Sequence, residues 1–244
     1  HHNTLGVIRA IGRANLGVDL VTYEKSKNDF VACSKYVTSY HSLACKEDLF
    51  TYLNSLPVNQ NKQIVISCAD AVTEELNLHR EILSEKYIIP GHPLQGRMLE
   101  LMDKTTMISM AARHNIFAPE VWHLPKDYSK VTFPCITKAL VSSHGGKADI
   151  IICYSKNELD SFLKKNDDDI FVQSYINKKE EVQFIGCSLN GGEDIIIPGM
   201  TKVFRSQPNT NTGFLEYGPI DPFYNETVEN AKAYIKDCQY SGLF

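Results

Sequence analysis

Phe133-Pro134-Cys135-Ile136-Thr137-Lys138 is followed, after three residues, by Ser142-Ser143-His144-Gly145-Gly146-Lys147. An apolar strand delivers a lysine, and a loop of small hydroxyls and paired glycines comes next. Glycine lets backbone N–H groups approach a polyanion closely, and a lysine adds a mobile point charge. That combination suits a triphosphate. The order G-x-x-x-x-G-K-[ST] is absent, so this is not a Walker A loop, and no G-x-G-x-x-G dinucleotide fingerprint occurs near the start of the chain. Taken alone, the segment equally describes a hairpin with an exposed lysine.

Further candidates lie downstream. Ile170-Phe171-Val172-Gln173-Ser174-Tyr175-Ile176 reads as an apolar strand opening into a short linker. Adenine needs a donor and an acceptor between apolar walls. Gln173 can face its exocyclic amine, and Ser174 to Ile176 can offer backbone groups. Glu181 opens the alternating strand Glu181-Val182-Gln183-Phe184-Ile185-Gly186, where a carboxylate can accept two ribose hydroxyls. In Gly199-Met200-Thr201-Lys202-Val203-Phe204-Arg205, strand alternation puts Lys202 and Phe204 on one side and Arg205 on the other. Two cations there suit a γ-phosphate and an acidic substrate. An edge strand whose charges deter aggregation reads the same way.

The rest of the chain supplies the setting. Residues 1–92 alternate helix and strand signals. Helices are predicted at 4–14, 47–56 and from an Asp70 cap to about 84, with strands at 18–23, 36–40, 63–68 and 87–89. The run Gln63 to Cys68 is apolar enough for a strand covered on both faces. Alternation of this kind predicts an α/β domain with a parallel sheet and right-handed crossovers. Pro90-Gly91-His92-Pro93 is the clearest punctuation, so the boundary falls there. Residues 93–244 read as an α+β module, divided at about residue 170 into a subdomain from 103 and a second running to 244. It holds an Asp103-capped helix to His114, strands at 134–140, 149–154, 170–176, 181–189 and 194–204, and helices at 155–165 and 227–237. Asn190-Gly191-Gly192 is a hairpin turn.

The pieces taken in order resemble the ATP-grasp superfamily. The resemblance rests on a helix opening in Asp103-Lys104, the strand ending in Lys138, the Ser142–Lys147 loop, the Val172–Ile176 strand of type V-[QE]-x-[YF]-I, and Glu181. It covers residue 103 to the end, and the preceding βαβ portion resembles the small domain that precedes an ATP-grasp module. Leu5–Gly12 and Ala32–Val37 resemble the branch containing D-aspartate ligase and carbamoyl-phosphate-synthase-like proteins.

The resemblance implies an ATP-dependent carboxylate–amine or carboxylate–thiol ligase working through an acylphosphate with ATP and Mg²⁺. By the same resemblance Lys104 and Lys138 contact the ATP phosphates, and Ser143, His144, Gly145 and Gly146 close over them. Gln173 stands where glutamate is usual, near the adenine amine, and Ile176 offers backbone. Glu181 binds ribose, with Glu180 as the alternative one residue away. Lys202 reaches the γ-phosphate, and Arg205 contacts substrate or phosphate. The family's magnesium ligands, a glutamate and a Glu-x-Asn, are expected beyond Phe244. Glu216, between Gly213-Phe214-Leu215 and Tyr217-Gly218-Pro219, reads as loop and not as a metal-bearing strand. The expectation is therefore a module truncated at both ends that holds nucleotide but lacks the metal-binding catalytic residues. A nucleotide-binding regulatory module without turnover is the rival reading.

Bulk properties narrow the field further. The chain has 244 residues, 25 basic and 29 acidic, for a net charge of −4. Nucleic-acid binding needs clustered cations, and none are clustered here. The seven cysteines form no C-x-x-C pair and several sit in apolar runs, so reduced cysteines packed as small hydrophobes are expected. No stretch has transmembrane length and no signal peptide is apparent, so the expectation is a cytoplasmic protein acting on small-molecule carboxylates and amines, without membrane or nucleic-acid partners. A homodimer is compatible with this reading.

Overall fold

The structure is a computed structural model describing residues 2–23, 30–139, 150–165, 170–207 and 211–244. The expected glycine loop, with Ser143, His144, Gly145 and Gly146, lies outside the described residues. The chain separates into two compact units. The first comprises residues 1–90 with 94–96, the second residues 91–93 with 97–244.

In the first unit, helix α1 (His2–Arg13) leads into strands β1 (Val18–Thr22) and β2 (Val37–Ser42), which pair in parallel. Ile8, Leu20 and Val31 are buried between them. Gly12 is required at the α1–β2 approach, because a Cβ there would lie 2.2 Å from the Tyr36 ring. Helix α2 (Asp48–Ser55), strand β3 (Gln63–Ile64), helices α3 (Asp70–Leu78) and α4 (Arg80–Leu83) and strand β4 (Tyr87–Ile88) complete the unit. Strands β3 and β4 are also parallel, and a cluster including Leu49, Leu53, Leu76, Leu83 and Tyr87 forms the core. Among the described residues the parallel pairing is thus two separate two-stranded ladders, not one sheet.

Three expectations for this unit fail for local reasons. The strand predicted over 63–68 pairs only at Gln63 and Ile64, and Ile64 is 67% exposed, so the run is not covered on both faces. After Val65 the chain turns toward α3, where Thr73 Oγ1 donates to Ser67 Oγ at 2.8 Å. Ala69, not Asp70, is the N-cap of α3, so the Asp70 charge acts on the helix dipole from the first turn. The helix predicted to residue 84 breaks at His79, whose φ of −115° and ψ of 21° leave helical geometry. The break lets Arg80 donate to Ile89 O at 2.7 Å, Pro90 O at 3.0 Å and Asn77 Oδ1 at 3.2 Å, tying the end of β4 to the helices.

The second unit starts with helices α5 (Arg97–Leu101) and α6 (Lys104–Ala112). Asp103 caps α6, accepting from Thr106 N at 2.8 Å. Strands β5 (Val121–His123), β6 (Cys135–Ala139), β7 (Ile152–Cys153) and β8 (Ile170–Ser174) form an antiparallel sheet in the order β5-β8-β6-β7, with α7 (Lys156–Leu163) packed on one face. Trp122, Cys135, Cys153, Leu159 and Val172 make that core. A second antiparallel sheet comprises β9 (Val182–Leu189), β10 (Asp194–Gln207), β11 (Asn211–Gly218) and β12 (Gly242–Leu243), in the order β11-β10-β9-β12. Helix α8 (Asn225–Asp237) precedes β12. The β9–β10 hairpin turns through Asn190, Gly191 and Gly192, whose φ values of 52°, 64° and 86° are left-handed.

Candidate functional site

In the first sheet, alternation separates a packed face from a second face. Trp122, Val172, Cys135 and Cys153 point toward α7, so Val121, Gln173 and Ile136 belong to the opposite face. Gln173 stands in register between Val121 on β5 and Ile136 on β6. It is 5% exposed, and its Nε2 donates to Pro119 O at 3.4 Å. Lys138 occupies the β6 position opposite Phe171, two residues on from the Gln173 partner. Lys104, the first residue of α6, borders a shallow pocket with Thr105, Ile108, Val121 and His123. Val121 both lines that pocket and stands opposite Gln173 in the sheet. Ile176 lies just past β8 and is exposed.

The second sheet carries the charged candidates. Lys202 Nζ sits 2.8 Å from Glu180 Oε2, and Tyr224 O–H donates to the same oxygen at 2.9 Å. The Lys202 ammonium, followed by the Tyr224 hydroxyl, holds the Glu180 carboxyl below the usual carboxylate range. Glu180 in return raises the pKa of Lys202 and of Tyr224. The Tyr224 ring meets Phe184 of β9 edge-on, with centroids 6.3 Å apart. Glu181 is engaged differently. Its carboxylate pairs with Lys178, and its backbone oxygen accepts from Val203 N at 2.9 Å. Of the two adjacent glutamates, Glu180 is thus the one at Lys202.

One sequence expectation changes here. Glu216 is not in a loop but on β11, directly opposite Lys202. The Gly213 and Gly218-Pro219 punctuation around it masked a short alternating strand. The β10–β11 register shifts by one residue at Arg205, which pairs with Phe214, and returns at Ser206, which pairs with Thr212. The Phe204 and Phe214 rings lie 6.3 Å apart. Arg205 is exposed.

Sequence reasoning missed Tyr224. It follows the turn Asp221-Pro222-Phe223, in which Asp221 accepts from Phe223 N at 2.9 Å. That capping pattern was visible, but its delivery of a hydroxyl to a glutamate 44 residues earlier was not. Among the described residues, no group of three or more His, Cys, Asp or Glu side chains is placed to hold a metal ion. No described helix is long and apolar enough to cross a membrane.

No protein-family model matches the chain, and a search of curated proteins by sequence returned no match. Solved structures do match. N5-carboxyaminoimidazole synthetase from Staphylococcus aureus, complexed with ADP, aligns with a TM-score of 0.70 at 15% identity over 98% of this chain and 62% of its own. The biotin carboxylase domain of Hydrogenobacter thermophilus 2-oxoglutarate carboxylase, with MgADP, ADP and bicarbonate, gives 0.69 at 14% over 98% and 57%. L-amino acid ligase from Bacillus licheniformis gives 0.67 at 14% over 96% and 57%. The chain spans about three fifths of the length of these proteins. At such identities the likeness is one of three-dimensional form, and that form is the ATP-grasp fold.

Proposed function

We propose that this chain is the ATP-binding portion of a ligase that joins a carboxylate to an amine or a thiol. The observation that carries the reading is the fold match over 96–98% of the chain to carboxylases and ligases, two of them solved with adenine nucleotide. The described candidates add a second support, since Lys104 opens α6 and Lys138, Gln173, Lys202 and Arg205 lie on strands. Lys104 and Lys138 would neutralise phosphate charge, with Ser143, His144, Gly145 and Gly146 supplying loop donors. The buried Gln173 amide would orient the adenine amine, and the Ile176 backbone would flank it. Either Glu181 or Glu180 would accept the ribose hydroxyls. Lys202 would neutralise the γ-phosphate, and Arg205 offers a planar fork suited to a substrate carboxylate.

The chemistry is a phosphoryl transfer followed by an acyl transfer. A carboxylate oxygen bonds to the γ-phosphorus while the bond to the β-phosphate oxygen breaks and ADP leaves. The amine or thiol then attacks the acyl carbon, the carbon–oxygen bond to phosphate breaks, and the nucleophile loses its proton. Such transfers depend mainly on positioning and charge neutralisation, which is what Lys138, Lys202 and Arg205 can supply. Magnesium, the nucleotide's expected companion, finds no ligand cluster among the described residues, and neither step above is built on it.

A thermal-shift series on the full chain tests the reading. A ligand at about 100 times its Kd stabilises by roughly 2.7 kcal/mol, a rise of several degrees. ATP and ADP are expected to raise the midpoint, and NAD and NADP are not. Stabilisation by the dinucleotides alone contradicts the proposal.

A further inference from the structure

Cys135 on β6 and Cys153 on β7 are direct partners across an antiparallel ladder. Both are 0% exposed, and both are free thiols. Two residues further along the hairpin, Thr137 N donates to Ile151 O at 3.0 Å. Hydrogen-bonded and non-hydrogen-bonded pairs alternate in such a ladder, so the cysteine pair is again a hydrogen-bonded one, with Cα atoms about 5.5 Å apart. That separation lies inside the roughly 4.4–6.8 Å that a disulfide spans. Opposed side chains share a face, here the inward one beside Trp122 and Leu159.

We propose that Cys135 and Cys153 form a redox-modification site, a dithiol that a peroxide converts to a disulfide fastening the base of the β6–β7 hairpin. The inference does not depend on nucleotide binding. One thiolate sulfur attacks a peroxide oxygen and the O–O bond breaks, giving a sulfenic acid and, after proton uptake, water. The second sulfur attacks the sulfenic sulfur, the S–S bond forms, the S–O bond breaks, and a second water leaves. Both sulfurs are oxidised, and the peroxide is reduced. Access comes through β7, an edge strand of two residues whose local opening is far easier than global unfolding. Burial pushes the Cys135 thiol up to about 12 and the Cys153 thiol up as well, so the thiolate is scarce at neutral pH. Oxidation is therefore slow there and accelerates as pH rises. The consequence falls on β6, because Lys138 is three residues beyond Cys135.

The test uses the full chain with the exposed Cys33, Cys45 and Cys68 changed to serine, treated with hydrogen peroxide and mapped by mass spectrometry after alkylation. The expected product is a peptide linking Cys135 to Cys153, lighter by two hydrogens and restored by dithiothreitol. It should be accompanied by a reversible rise of roughly 5 °C in thermal midpoint, since closing a loop of this size restricts the unfolded chain. Cys153→Ala should abolish both. Recovery of Cys135 and Cys153 as separately alkylated thiols, or as sulfinic or sulfonic acids, would overturn the proposal. So would a linked product in which either pairs with another cysteine.

Discussion

Lys202 is held by Glu180, and Glu180 is held in turn by Tyr224. The Glu180 carboxyl lies below its ordinary value of 4.5, first because of Lys202. Whatever the pair contributes is therefore present above that value and lost as pH falls through the depressed folded-state pKa. Carboxyl titration by NMR is expected to place Glu180 below 4.5 in the native protein and closer to 4.5 in Lys202→Ala. An unchanged titration would separate the two groups. The pair is solvent-exposed, so Glu180→Gln should leave the thermal midpoint nearly unchanged. Gly192 is a different matter. Its φ is +86°, and a Cβ there would lie 2.5 Å from Lys236 Cα in α8. Gly192→Ala is expected to destabilise by about 1–3 kcal/mol, read as a lower midpoint in urea. At this scale the sequence revealed residue types but not partners. Lys202 is recognisable as a cation on a strand. Its counterion choice between Glu180 and Glu181 depends on where β9 begins, and Tyr224 arrives from a distant turn.

At the scale of elements, the legible features are those with local causes. The Asp103 cap of α6 and the Ser155 cap of α7, with Ser155 accepting from Glu158 N at 3.3 Å, could be read from the side chains alone. Asp103→Ala should cost about 1 kcal/mol, a drop of roughly 2–4 °C for a chain of this size by differential scanning calorimetry. An unchanged midpoint would deny the cap its role. Features set by pairing were not legible. The run at 63–68 has the composition of a covered strand, yet only Gln63 and Ile64 are in strand register with β4, and Val65 N adds one bond to Ile88 O. The irregularity of β10 at Arg205, where the register with β11 shifts by one and returns at Ser206, leaves no mark in composition. Strand β11 was hidden by glycines at both ends of a segment whose centre, Phe214-Leu215-Glu216-Tyr217, extends the sheet beside β10.

For the molecule as a whole, the fold was legible from the order of weak motifs and not from any one of them. The resemblance rests on Asp103-Lys104, Lys138, Gln173 and Glu181 taken in order, and the three-dimensional match covers 98% of the chain, the first unit included. The expected substrate contact rests on a single residue, Arg205, which is exposed on β10. The central claim is that a strand-borne lysine, set among these elements, holds the phosphates of ATP. Equilibrium binding of ATP by isothermal titration calorimetry, comparing the native chain with Lys138→Ala, tests it most directly. A charged contact of roughly 1.5–3 kcal/mol predicts binding weakened about ten-fold or more in the variant, whereas equal affinity in the two proteins, or no ATP binding by the native chain, would contradict it.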